Sequence, residues 1–389
     1  MIDIGKAKRA IGEEKLSGWL FFNLHHRDSL SDRILEIPNK IHNSRPWLYL
    51  IRRESEPAIV VHGVEAGALD HLPGEKMVYS SRSSFLEILR ELARAEEVTA
   101  AQFSSQVPFI SFLDHGTARV LSECGFNLTS SDKLVQRFLG LLDKSAIESH
   151  EMAATKLYAI VEEIWDRIRN SMKKNSLLSE GEVQQWILDL FQRAGLYSDF
   201  PPLVAVGKNT CDPHYLLREE GDKLEAAAVL QLDIWARLKG QNSVYGDISW
   251  GGVLARSVPE EVAAVFDTLV AARDLAVAFI AQAFKNKKPV SGFEVDQRVR
   301  SLITERGYGE FLLHRTGHAI DTEVHGYGVN LDSVEFPDSR LILEGSCFSI
   351  EPGIYTADFG LRTEINVYIK NSKVVISGGT PQQRLLTLS

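Results

Sequence analysis

The chain has 389 residues, 44% hydrophobic and 24% charged, with a net charge of −9 at neutral pH. That length predicts two domains of an ordinary soluble protein, and the negative charge argues against nucleic acid or any other non-specific polyanion partner. The three scattered cysteines, Cys124, Cys211 and Cys347, show no metal spacing and suit a reducing, cytoplasmic setting.

The N-terminal segment MIDIGKAKRAIGEEK lacks an apolar core, so a signal peptide is not expected. Beyond it, GWLFFN, PWLYLI, PAIVVH and KMVYS are predicted strands, bounded by Pro, Gly and charged turns. Residues 85–95 and 109–121 are predicted helices. The alternation predicts an α/β domain over residues 1–140. It holds no phosphate loop and no dense cluster of acids or histidines.

A second domain, residues 141–389, has a different style. Ser145 with Glu148 makes a capping-box pattern, and Leu157, Ile160, Val161, Ile164, Trp165 and Ile168 follow at helical spacing. Ser179 with Glu182 predicts a second helix start, and Gly195 its stop. Ser257, Pro259 and Glu260 predict a third start, for a helix to about Phe284. Asp267, Arg273 and Asp274 interrupt that helix, so a membrane span is not expected. Ser291 with Glu294 predicts a fourth helix, ending at Gly307. Predicted strands are Ala228–Leu238, Val244–Trp250, Ser346–Ile350 and a hairpin from Leu361 to Ser377. Two helix pairs with strand sets between them predict an α+β domain, its helices covering one face of a curved antiparallel sheet.

Five residues of this half carry the chemistry: Asp233, Asp247, His318, Glu351 and Glu364. Strand periodicity puts Val229, Gln231, Asp233 and Trp235 on one face, and Arg362, Glu364, Asn366 and Tyr368 on another. Asp233 lies within AVLQLDIW, a run that implies burial, and a buried carboxylate must be paired or ligated. Four carboxylates cannot converge uncompensated, because like charges raise one another's pKa. Two divalent cations cancel four negative charges, and paired metals recur in hydrolases. One imidazole among carboxylates is a mostly hard set that suits Mn first, with Co, Zn or Fe allowed. Gly317 and Gly326, beside His314, His318 and His325, permit close backbone approach.

The segments VAVGKNTCDPHY, LQLDIWARLKGQNSVYGDIS, HRTGHAIDTEVHG, SIEPGIY and GLRTEINV, in this order, resemble the metallopeptidase family of methionine aminopeptidase, prolidase and aminopeptidase P. The resemblance spans roughly residues 142–377. It implies a C-terminal pita-bread domain preceded by a creatinase-like N-terminal α/β domain. It further implies that Asp233, Asp247, His318, Glu351 and Glu364 bind two divalent metals, and that Glu351 handles the proton of the attacking water. His214 and His325 would contact substrate and the oxyanion, His314 matches a further active-site position, and Arg362 would support the carboxylates. A peptide with proline in second position is the implied substrate, and a homodimer the implied assembly. Alternatives are a non-peptidase hydrolase or lyase on the same fold, a metal-free creatinase-like protein and a binding-only homologue.

Three features depart from the family pattern. Ser249 and Trp250 replace the usual Thr-Arg, and Trp250 is expected to reshape the pocket wall. Asp321 replaces a glycine, where it would bind a substrate amine or pair with Arg315. LKGQN is read as a turn insert between Asp233 and Asp247.

Overall fold

In the computed structural model of the protein, residues 2–38, 40–174, 176–240 and 242–388 are described. The chain separates into two compact units between Leu139 and Gly140.

The first unit is built from α1 (Ile4–Glu13), β1 (Gly18–Asn23), α2 (Ser29–Ile34), β2 (Trp47–Arg52), β3 (Ala58–His62), β4 (Glu75–Tyr79), α3 (Arg82–Leu92), β5 (Val98–Ala101), α4 (His115–Glu123), β6 (Asn127–Ser130) and α5 (Asp132–Leu139). Its mixed sheet has the order β4-β3-β2-β1-β5-β6. On β1, Leu20 packs with Phe85, Leu89 and Leu121 of α3 and α4. Trp19 faces the ring of Phe138 in α5 at 5.1 Å. Both faces are covered, so β1 reads as a continuous apolar run. The predicted helix over 109–121 is instead a short 3₁₀ turn, Pro108–Ile110, followed by α4. Asp114 divides them by accepting from Thr117 N at 2.9 Å, which caps α4.

The second unit contains α6 (Lys144–Lys173), α7 (Glu180–Ala194), β7 (Leu196–Tyr197), β8 (Leu203–Val206), β9 (Val229–Leu238), β10 (Gly246–Val253), α8 (Glu260–Lys285), α9 (Gly292–Glu305), β11 (Cys347–Ile350), β12 (Gly353–Tyr355), β13 (Gly360–Arg362), β14 (Ile365–Lys370) and β15 (Lys373–Ile376). Among the described residues no helix is long and apolar enough to cross a membrane. The helix starts at Ser179 and Ser291 are full capping boxes, and Gly195 closes α7 in the left-handed region at φ 69°. The start expected at Ser145 belongs to Asp143, whose carboxylate accepts from Ala146 N at 2.9 Å. At Pro259 no side chain caps α8. Gln241 of the LKGQN segment lies outside the described residues.

Each helix pair covers its own strands. Leu230, Leu232 and Ile234 of β9 pack with α6 and α7. Phe348 and Ile350 of β11 and Ile365, Val367 and Ile369 of β14 pack with α8 and α9. The predicted hairpin from Leu361 is broken: β13 pairs with β12, and β14 pairs with β11 and β15. Thr363 and Glu364 form the step between them. There Glu364 N donates to Ser249 O at 3.2 Å, tying the step to β10.

One buried histidine stitches this unit together. His150 of α6 donates from Nδ1 to Tyr245 O at 2.6 Å and accepts at Nε2 from Ser377 Oγ at 2.7 Å. Burial pushes its pKa below the ordinary 6.5. The unfolded chain therefore binds a proton that the folded one resists, and the neutral ring's contribution is lost as pH falls below that value. The stability advantage of wild type over His150→Asn should shrink by up to about 2 kcal/mol between about pH 7.5 and 5. Urea unfolding at both pH values checks this; a gap that stays constant or widens contradicts it.

Candidate metal centre

The acids reach one place because of the alternation in their strands. Asp233 sits on β9 opposite its core-facing neighbours and pairs in register with Ser249 of β10. Asp247 is the second residue of β10, where its backbone N donates to Asn366 Oδ1 at 2.7 Å. Glu351 follows β11, and Glu364 occupies the step before β14. His318 comes from the loop after α9, which crosses β11 so closely that a Cβ on Gly317 would lie 2.0 Å from Ser349 O. Only glycine fits there. Behind this loop the buried carboxylate of Asp296 accepts from Thr316 N at 2.9 Å and Ser333 N at 2.8 Å.

All nine residues singled out from the sequence, Asp233, Asp247, His318, Glu351, Glu364, His214, His314, His325 and Arg362, line one cavity of about 590 Å³. Among the described residues, the ligand atoms of Asp247, His318 and Glu364 lie within 4.8 Å of one another. Glu351 Oε1 is 3.4 Å from His318 Nε2, and Asp247 Oδ2 is 3.6 Å from it. His318 Nδ1 donates to Ala319 O at 3.2 Å, which orients the ring and turns Nε2 toward the carboxylates. Asp233 stands beside this group, held by the guanidinium of Arg362 and by Ser249 Oγ at 2.7 Å.

The electrostatics show an incomplete balance. Burial, reinforced by Asp233 and Glu351, pushes Asp247 up to about 7. Burial and the surrounding acids raise Glu364 well above the carboxylate range. Burial also works against Glu351, yet His318, His314, Arg362 and Arg315 outweigh it and hold that carboxyl down at about 2. Asp247 Oδ1 and Glu364 Oε1 are buried with no hydrogen-bond partner. An unsatisfied buried acceptor costs about 1–3 kcal/mol, and more when charged. Cations at this position answer both orphaned oxygens, so the residues present fit divalent metal.

Residues outside the nine complete the network. Ser249 Oγ lies 2.7 Å from Asp233 Oδ1, 3.1 Å from Glu364 Oε2 and 3.0 Å from Arg362 Nε. The usual threonine is absent, but its hydroxyl is not. Ser349 Oγ accepts from His318 N at 2.9 Å and lies 3.1 Å from Glu351 Oε1. Tyr355 OH links Arg362 Nη1, at 3.2 Å, to His314 Nε2, at 2.8 Å. With His314 Nδ1 also donating to Arg315 O at 2.7 Å, both ring nitrogens of His314 are occupied. His325 stacks edge-on to His318 with ring centroids 4.3 Å apart. Charge on His318, then burial and Arg315, push His325 down to about 3, so its ring is neutral.

Two departures resolve away from the cavity. Among the described residues its lining includes neither Trp250 nor Asp321. The Trp250 ring packs instead against Tyr158 at 5.8 Å, so the pocket wall is not reshaped by it. Asp321 accepts from Glu323 N and Tyr327 N, both at 2.8 Å, and braces the turn that carries His325. A Cβ on Gly326 would lie 2.6 Å from Asp321 Oδ2, which accounts for that glycine. Arg315 Nη1 lies 3.8 Å from Asp332 Oδ2.

The pattern of metallopeptidase family M24 matches residues 148–371, more than half of the chain. The chain belongs to metallopeptidase family M24. It is similar to the Xaa-Pro dipeptidase of Lactobacillus delbrueckii subsp. lactis, 27% identical over 201 residues, covering 51% of this chain and 49% of that protein. The chain thus matches over about half the length of the Lactobacillus relatives. Dipeptidase PepE from Mycobacterium ulcerans has a similar structure, with a TM-score of 0.70 at 19% identity, covering 99% of this chain and 96% of that one. Prolidase from Pyrococcus horikoshii OT3 gives a TM-score of 0.63 at 18% identity, covering 98% and 99%. At those identities the two structures show the fold. This M24 protein is α+β, a pita-bread unit preceded by a creatinase-like N-terminal α/β unit.

Proposed function

We propose that the protein is a two-metal peptidase that hydrolyses the bond before proline, at the N-terminus of peptides or in dipeptides. The observation that carries this reading is the pair of orphaned oxygens, Asp247 Oδ1 and Glu364 Oε1, whose groups converge with His318. Asp233, Asp247, His318, Glu351 and Glu364 would hold the ions, Mn before Co, Zn or Fe on the hardness of the donor set. When bound, such ions lower the pKa of a water and polarise the scissile carbonyl.

The protein's own groups supply the rest. Glu351, ionised and 3.4 Å from His318, accepts the proton of the attacking water. His325, neutral and at the cavity wall, donates to the developing oxyanion. His214 meets substrate from the opposite segment. Phe200, Pro202, Pro213, Leu216, Trp235 and Val324 form an apolar wall. Proline's ring suits such a wall, and its amide has no N–H to satisfy. The implied homodimer belongs to the same proposal and is read by sedimentation at micromolar concentration, where a monomer alone would contradict it.

Metal analysis tests the site. Protein loaded with divalent metal should carry close to two equivalents, and Asp247→Asn should carry fewer. A stoichiometry near zero at saturating metal would overturn the reading.

A further inference from the structure

Glu180 is a fully buried carboxylate with no part in the chemistry above. It stands at the start of α7, and its two oxygens receive only donors. Oε1 accepts from Val206 N at 2.7 Å and from Asn209 Nδ2 at 3.0 Å. Oε2 accepts from Tyr215 OH at 2.8 Å and Asp222 N at 2.9 Å, with Asn209 Nδ2 at 3.2 Å. The backbone of the same turn joins in: Glu180 N donates to Asp222 O at 3.0 Å and Gly181 N to Glu220 O at 2.9 Å. The start of α7 therefore clasps both ends of the segment 206–222. At its middle that segment carries Pro213, whose carbonyl accepts from Arg362 Nη1 at 3.3 Å, and His214, which lines the metal cavity.

We infer that Glu180 is a positioning residue for substrate: it sets the 206–222 segment, so that His214 stands where the peptide must lie. The donors around it demand an acceptor-only group, and an amide would turn an N–H₂ toward N–H groups. Glu180→Gln should therefore loosen the segment without touching the metal ligands. This rests on the proposed peptidase reading only for the choice of substrate.

The test combines amide exchange with a double-mutant cycle. In Glu180→Gln, exchange should quicken in 207–222 and remain unchanged around Asp247 and Glu364, with metal content unaltered. Displacing a substrate-contacting group by about 1 Å costs up to about 10²-fold, so kcat/KM on an Xaa-Pro dipeptide should fall toward that extent. In a His214→Ala background the same substitution should cost much less, because most of its effect travels through His214. A merely structural role would lower the melting temperature and multiply with His214→Ala. That result, unchanged exchange in 207–222, or wild-type kcat/KM would overturn the inference. Should Glu180→Gln not fold, Tyr215→Phe removes one donor, keeps the carboxylate and must show the same non-additivity. If the parent cleaves a different amide, the cycle is run on that amide, and the exchange result stands apart from any substrate.

Discussion

Glu351→Gln should lower kcat by at least about 10²–10⁴-fold, the usual scale for losing a general base, while the melting temperature stays near that of the parent. The substitution takes away the acceptor for the water's proton and one ligand beside His318 Nε2. It is sterically conservative: Ser349 Oγ, 3.1 Å from Oε1 in the parent, retains a partner in the amide oxygen. Stopped assays of kcat set against thermal unfolding separate the two effects. A variant with near-native turnover would remove Glu351 from the mechanism. So would a loss of turnover that merely tracks loss of folded protein.

His325→Ala should lower kcat by about 10²–10³-fold, the scale for losing one oxyanion donor, with a much smaller rise in KM. A donor aimed at charge that develops only in the transition state contributes little to ground-state binding. The ring is free for that task because its neighbours hold it neutral, and its edge-on contact with His318 at 4.3 Å keeps it at the cavity wall. The opposing account makes His325 a structural residue of the Asp321-braced turn. On that account the variant would lose stability, and its folded fraction would keep the parent's kcat.

Much of the site was legible because it is written in periodicity. The run around Asp233 is apolar on alternate residues that the structure packs under α6 and α7. The remaining face had to hold Asp233. The same reasoning put Glu364 opposite Ile365, Val367 and Ile369. It did not foresee the step at Thr363 and Glu364, since a break in a strand is decided by what it touches, here Ser249 O on β10. The capping boxes at Ser179 and Ser291 were plain because both partners lie within four residues. The one expected at Ser145 failed because Asp143, two residues earlier, is the stronger acceptor and took the helix start.

What stayed hidden in the sequence were residues whose role lies in distant partners. Ser249 looked like a departure from the family pattern, yet its hydroxyl meets Asp233, Glu364 and Arg362 together. Tyr355 lay within the quoted SIEPGIY segment, but its link from Arg362 to His314 crosses loops far apart in the chain. Glu180 lies in the first turn of a helix, a place where acids are common for the dipole alone, so the sequence does not mark it out. Its complete burial was the missing signal. Trp250 shows the reverse: three residues beyond Asp247, it was expected to reshape the pocket wall and instead faces Tyr158.

Turnover of Xaa-Pro dipeptides and longer Xaa-Pro peptides, with added Mn, Co or Zn and a matched Xaa-Ala series, tests the central claim most directly. The account predicts metal-dependent release of the N-terminal residue from the proline series, little from the alanine series, and none after chelation. Hydrolysis of some other small amide with no cleavage before proline, by protein carrying its metal, would contradict it.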